Sequence, residues 1–283
     1  MDIIHAGQMP WGENLAAHRQ GGMAHKVLFE GFEGRPDNYV LVLANEGSDY
    51  YSPRHRHAWD QVRFCLEGAV PIGRDRLLHA GEVGYFPEGA PYGPQSGGPN
   101  RIVLLLQFGG ASGLGYLSAR QLREARQALA SEGVFEGGVF RRTSGDGQKN
   151  LDAYEAIWRH VTGQPIDYPR SGYDGPIVMR PDSLAWDEVN SSVGVRSKAV
   201  GRFQERNLSL DIIDLQAEAE HAAEASDTLR LIFVLSGDGQ CGEVAYHAQS
   251  AVRLPPGEAA TFTAETPTEL FVITVPPMEP THA

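Results

Sequence analysis

Ser52-Pro-Arg-His-Arg-His-Ala-Trp-Asp-Gln61 runs directly into Val62-Arg-Phe-Cys-Leu-Glu67, and this stretch decides how the chain is read. On an extended backbone His55 and His57, two positions apart, project from one face, and Gln61, Arg63 and Cys65 share their parity. Val62, Phe64 and Leu66 take the opposite face, which must pack against other apolar elements. One face therefore carries imidazoles, an amide, a guanidinium and a thiol. Two neutral imidazoles at this spacing begin a divalent-metal site; two solvated loop histidines are the alternative reading.

Working outward, residues 39–44, 82–87 and 101–108 are further short β-branched and aromatic runs, separated by Gly, Pro, Asn and Asp. They read as antiparallel β. Ser118 with Gln121 then forms a capping box ahead of an apolar stripe of Leu122, Ala125 and Leu129, and Gly133 follows as a stop. A second helix is expected from Asn150 to Val161, with Gly163 as terminator, and Arg141 to Lys149 as the loop between the two. Beyond 177 the β-type runs return. Gly 33 and Pro 18 in 283 residues suit many short strands better than long helices.

The second β region echoes the first. Trp11–Asn14 resembles Trp186–Asn190, Gly22–Lys26 resembles Gly194–Lys198, Phe64–Gly68 resembles Phe233–Gly237 and Ala80–Glu82 resembles Pro256–Glu258, at offsets of 175, 172, 169 and 176 in sequential order. A duplicated β domain accounts for such order; chance likeness of two β domains is the alternative. Charge narrows the partners: 24 basic against 36 acidic residues give a net charge of −12, which repels phosphate backbones and anionic lipid. No nucleic acid and no membrane partner is expected. Two cysteines, Cys65 and Cys241, without CxxC spacing indicate neither a disulfide framework nor a zinc site, so a reducing cytoplasm is expected. The first residues show no secretory pattern.

A second motif follows the first: Gly81-Glu-Val-Gly-Tyr-Phe-Pro87-Glu-Gly89-Ala-Pro-Tyr92. Together the two resemble the cupin superfamily, whose first motif joins HXH to a glutamate and a closing glycine, and whose second joins glycine, PXG, histidine and asparagine. His55 and His57 supply the HXH, Gln61 stands where the glutamate belongs and Gly68 closes the segment. Gly81, Pro87 and Gly89 match the second motif. Tyr92 replaces its histidine and Ser96 its asparagine.

The resemblance implies an all-β chain of two jelly-roll barrels joined by a short helical connector: 1–112 with the metal site, 113–165 as connector and 166–283 as a barrel without ligands. It implies a divalent metal ion on His55, His57 and Gln61, Fe2+ first, with Zn2+, Mn2+ or Ni2+ as alternatives. Tyr92 and Arg63 are the candidate catalytic residues, Tyr92 as ligand, wall or hydrogen-bond donor and Arg63 as substrate anchor or internal ion-pair member. In the second half Glu224, Ser226 and Arg230 fall at the positions of His55, His57 and Gln61, and Thr263 and Thr268 at those of Pro87 and Tyr92.

With a neutral amide replacing the carboxylate, the ion keeps its full charge and favours an anionic ligand. The expected function is a metal-dependent enzyme acting on a small oxygen-rich molecule, dioxygenase-type first. An O2-independent isomerase, lyase or cyclase, or a non-catalytic small-molecule-binding module, are the alternatives. His25 is the other histidine expected near the cavity mouth, Tyr50, Tyr51 and Trp59 are expected at its rim, and exposed edge strands suggest a homodimer.

Overall fold

The computed structural model describes residues 1–277 except 13, 14, 16, 17, 20, 35–37, 115, 190 and 191. Asn14 and Asn190 of the first echo, and His282, lie outside the described residues. The chain divides into two compact units, Trp11–Val178 and Met1–Pro10 with Met179–Met278. Both described α-helices fall in the first, and the first ten residues in the second.

In the Trp11–Val178 unit an antiparallel sheet orders Ile177–Met179, Val83–Phe86, Trp59–Glu67, Ile102–Gly109, Tyr39–Glu46 and Met23–Glu30. Tyr39–Glu46 is buried at nearly every position, because its Val and Leu side chains are covered on both faces. Two short hairpins, Ala69–Gly73 with Arg76–His79 and Tyr51–Ser52 with Gln95–Ser96, accompany it. Between them pack Cys65, Val70, Ile72, Leu78, Phe86 and Val103. Fully burying one such Val or Leu side chain contributes roughly 1.5–3 kcal/mol, so this cluster is the stabilising face of the site strand. A bulge at Leu66, between partners Glu67 and Cys65, interrupts the period-two alternation.

Helix α1, Ala119–Leu129, starts at the expected capping box: Gln121 N donates to Ser118 Oγ at 3.1 Å and Ser118 N to Gln121 Oε1 at 3.0 Å. Helix α2 covers Ala153–Thr162, three residues later than Asn150. Asn150–Asp152 pairs instead as a strand with Val139–Arg142, and the Asp152 carboxylate caps the helix by accepting from Tyr154 N and Glu155 N at 2.8 and 3.3 Å. Gly163, at φ +73°, ends it as expected. These helices are not a bare connector: Leu129, Phe140, Tyr154 and Ile157 pack against Ala58 and Trp59 of the site strand. Arg19, paired with Asp152 at 2.7 Å, ties the preceding segment to the α2 cap.

The other unit holds a seven-stranded sheet and a four-stranded one. The seven strands run in the order Asp2–His5, Ser250–Leu254, Arg230–Ser236, Thr268–Thr274, Leu208–Leu215, Val195–Phe203 and Asp187–Glu188. Its interior is filled with apolar side chains, including Val234, Tyr246, Phe262 and Leu270, all fully buried. Both cysteines of the chain are buried free thiols. No described helix is long and apolar enough to cross a membrane.

Gly89 shows why the second motif needs its glycine. Its φ is +72°, and a Cβ there would stand 2.1 Å from Pro169 O. Gly89→Ala is expected to lower unfolding stability by more than about 1 kcal/mol, read as a fall in the urea midpoint, whereas Gly172→Ala, with nothing near its Cβ, should leave the midpoint in place.

Candidate functional site

The two motifs are stitched together through the backbone. His55 N donates to Tyr92 O at 3.0 Å and Tyr92 N to His55 O at 2.9 Å; Gly89 N donates to His57 O at 2.7 Å. Glu88 N is taken by the Asp60 carboxylate at 2.8 Å, and Gln61 pairs in register with Phe86. The turn that follows Pro87 is thus folded onto the HXH segment. All five residues singled out from the sequence meet there.

Their side chains converge on the Tyr92 hydroxyl. Gln61 Nε2 lies 3.2 Å from it, Arg63 Nη2 3.0 Å and His57 Nε2 2.9 Å. Amide and guanidinium nitrogens only donate, so they fill the phenol oxygen's two acceptor positions and leave its O–H for His57 Nε2. His57 then carries its own proton on Nδ1, a buried atom with no hydrogen-bond partner. His55 is fixed in the other tautomer. Its Nδ1 sits 2.7 Å from Pro53 O, so that nitrogen bears the proton and Nε2 the lone pair. Burial pushes both imidazoles well below their ordinary pKa, with the neighbouring Arg19 and Arg63 acting in the same direction. Both rings are neutral at pH 7.

A cavity of about 100 Å³ opens beside this cluster. Beyond His55, His57, Arg63 and Tyr92, its wall includes Gln95, Gln107, His18, Tyr50, Tyr116 and Tyr154. His25 and Trp59 also line it as expected, whereas Tyr51 is exposed. Ser96, which stands at the asparagine position of the second motif, is exposed and contributes no lining, while its neighbour Gln95 does. Tyr116 and Tyr154 come from the helical region, and no motif pointed to them. Tyr116 precedes α1 and Tyr154 lies in the first turn of α2, and the apolar stripe expected for that helix included neither. Cys65, on the face shared with Arg63, is fully buried among apolar side chains, and burial raises its thiol to about 11.

The donor set fits a divalent ion in one half and not in the other. His55 holds its Nδ1 proton on a backbone carbonyl, the arrangement that orients a ligating imidazole. The two ring centroids are 4.8 Å apart. Two imidazoles sharing one ion with nitrogens at about 2.1 Å place their ring centres roughly 4.5–5.2 Å apart. Gln61 and Tyr92 do not complete the set. Gln61 Oε1 already accepts from Arg63 Nη2 at 3.1 Å and Gln107 Nε2 at 3.4 Å, so the group at the carboxylate's position is a neutral amide bonded to a guanidinium. No group of three His, Cys, Asp or Glu converges among the described residues. The residues therefore fit an ion held by His55 Nε2 and His57 Nε2 with its other positions open, on the condition that the Tyr92 hydroxyl, which occupies the His57 lone pair here, turns away from it.

No family model and no curated protein matches the chain. Solved structures do. A candidate dioxygenase from Nostoc punctiforme shares 10% identity at TM-score 0.60, covering 98% of this chain and 84% of that one. Oxalate decarboxylase from Bacillus subtilis shares 13% at 0.55, with 97% and 76% covered, and Streptomyces albus HEPD, solved with 2-hydroxyethylphosphonate and Fe(II), 13% at 0.54, with 99% and 74%. These are cupin-fold proteins, and at such identity the likeness shows that this mostly β chain has their fold.

Removing the hub oxygen tests its place in the structure. Tyr92→Phe leaves the Gln61 amide and an Arg63 N–H without their acceptor and should cost about 1–3 kcal/mol in chemical denaturation. An unchanged midpoint would remove the hub from the set of stabilising contacts.

Proposed function

We propose that the Trp11–Val178 unit is a metal-dependent cupin enzyme site acting on a small, oxygen-rich anion, with a dioxygenase-type oxidation as its reaction. The observation that carries this reading is the meeting of two neutral, tautomer-fixed imidazoles with the Arg63 guanidinium at one cavity. His55 and His57 would hold the ion, and Arg63 attracts the anion that the neutral donor set leaves uncompensated. The bound ion supplies Lewis acidity and, as Fe2+, one-electron chemistry with O2. The likeness to HEPD, solved with Fe(II), and to an oxalate decarboxylase studied for its Mn(II) centres supports a divalent metal without choosing between ions.

A second reading, O2-independent proton transfer, is favoured by the Tyr92 hydroxyl. Two donors hold its oxygen while His57 Nε2 accepts its proton, so Tyr92 is set to exchange a proton with an enolisable substrate.

The remainder of the chain belongs to the same proposal as a second, duplicated barrel. Four pairs of features support duplication. The Gly12↔His25 bridge corresponds to the Asp187↔Ser197 pair; the bulge between Val27 and Phe29 to that between Ala199 and Gly201; the one at Leu66 to one at Leu235. Lys26 Nζ lies 4.7 Å from the Trp11 ring and Lys198 Nζ 4.2 Å from the Trp186 ring. Among the described residues the second half has no counterpart of the chemistry. Arg230 donates to Glu258 O at 2.9 Å and Thr268 to Thr266 O at 2.9 Å, so both serve their own backbone. A structural or pairing role suits that unit, and a homodimer is the form in which light scattering should find the chain.

Elemental analysis of untagged protein purified without added metal should find a divalent ion that His55→Ala and His57→Ala both lose; unchanged content in the two variants would remove the site. With enolic or catecholic acids, an oxygen electrode separates the two reactions. Uptake that stops in His57→Ala supports oxidation, while solvent deuterium entering substrate without O2 uptake, and lost in Tyr92→Phe, supports proton transfer.

A further inference from the structure

The wall of the cavity states more about its ligand than charge alone. Arg63 is 7% exposed, and its hydrogen bonds go to two neutral groups, Gln61 Oε1 and Tyr92. Its Nε has no partner. Glu46 is buried nearby, but its carboxylate lies 3.9 Å from Arg101 and makes no hydrogen bond to Arg63. The other arginine of the wall, Arg19, is already neutralised by Asp152. Glu30, the carboxylate of the wall, is on an exposed residue. Among the described lining residues the cavity thus has one buried cation without an ion-pair partner of its own, opposed at longer range by Glu46, and a single carboxylate at its exposed side.

The unpartnered atoms agree. Arg63 Nε, Gln95 Nε2, Trp59 Nε1 and His57 Nδ1 are buried nitrogens without acceptors, and all four belong to lining residues. Each is a donor in the tautomer derived above; the nitrogens themselves have no accessible surface, so the layer directly behind the wall is rich in donors that lack acceptors. Next to His57 the wall is aromatic. Trp59 lies edge-on to His57 with centroids 4.0 Å apart, and Tyr154 and Tyr116 flank Trp59 at 4.8 and 6.4 Å. A single water needs roughly 10–15 Å³ of such space, so a cavity of about 100 Å³ takes a molecule of ring size.

We infer that the cavity selects a monoanionic carboxylic acid with a planar, apolar body, its carboxylate toward Arg63 and its flat face along Trp59 and Tyr154, and that it discriminates against small dianions. A second carboxylate would be desolvated against the aromatic wall and repelled by Glu30. This deepens the proposed function by naming the ligand class, and it rests on that reading only in taking the same cavity as the substrate site. It makes Tyr154, from the helical region, a specificity residue rather than a packing one.

Calorimetry on the full chain, as purified and again after dialysis against EDTA, tests this with benzoate, benzamide and oxalate. Benzoate should bind saturably, one per chain, at least tenfold tighter than benzamide, which has the ring without the charge, and at least tenfold tighter than oxalate. Arg63→Gln should cost benzoate tenfold or more and leave benzamide unchanged. Tyr154→Leu should weaken benzoate about fivefold and leave oxalate unchanged. Should either variant fail to fold, the three ligands on the unaltered chain decide. Oxalate binding as tightly as benzoate, benzamide matching benzoate, or no saturable benzoate binding overturns the inference. Benzoate selectivity that survives EDTA stands even if elemental analysis finds no metal. Benzoate binding that disappears with the metal while Arg63→Gln has no effect assigns the anion to the ion and overturns the role of Arg63.

Discussion

The site depends on a short antiparallel pairing of two segments, residues 55–57 and 89–92, that lie more than thirty positions apart. Without the reciprocal bonds between His55 and Tyr92 the phenol would not reach His57, Gln61 and Arg63 together. The turn after Pro87 makes that pairing available because Gly89 adopts a left-handed conformation under the Pro169 carbonyl. Asp60, one residue before Gln61, then holds the turn by accepting from Glu88 N. A backbone constraint, rather than any attraction between the functional groups, assembles the chemistry.

The consequence for the ligand set follows from charge. In a site with a carboxylate beside two imidazoles, the ion would be partly neutralised by protein. Here an amide holds that place and a guanidinium bonds to the amide. Arg63 brings positive charge to the cluster whether or not an ion is bound, which is the electrostatic basis for proposing an anionic ligand. The same arrangement keeps both histidines neutral, since burial and nearby arginines oppose their protonation. Neutral rings, a shared phenolic proton and an unpaired guanidinium are mutually consistent parts of one electrostatic solution.

Much of this was legible in the amino-acid order. The parity of His55, His57, Gln61 and Arg63 along an extended run placed them on one face, and the spacing of Gly81, Pro87, Gly89 and Tyr92 anticipated which residue would meet them. The capping box at Ser118 and the stop at Gly163 were readable because each is a local hydrogen-bond or backbone requirement. What could not be read was the wall. Tyr154 and Tyr116 belong to no motif and pack with the helical core, and only tertiary structure turns them toward Trp59. Gln95 was overlooked beside Ser96 because a shift of one residue in a strand exchanges inward for outward. Asn150 was read as the helix start because a strand pairing with Val139–Arg142 has no short-range signature.

The two units differ in one further respect, which follows from what occupies their interiors. One surrounds a void lined with tyrosines and histidines; the other is filled by Tyr246, Phe262 and Leu270. Hydrostatic compression acts on voids, favouring whichever state eliminates them. A guest held in that void would therefore oppose its collapse, and would stiffen this unit against squeezing as well as against heat.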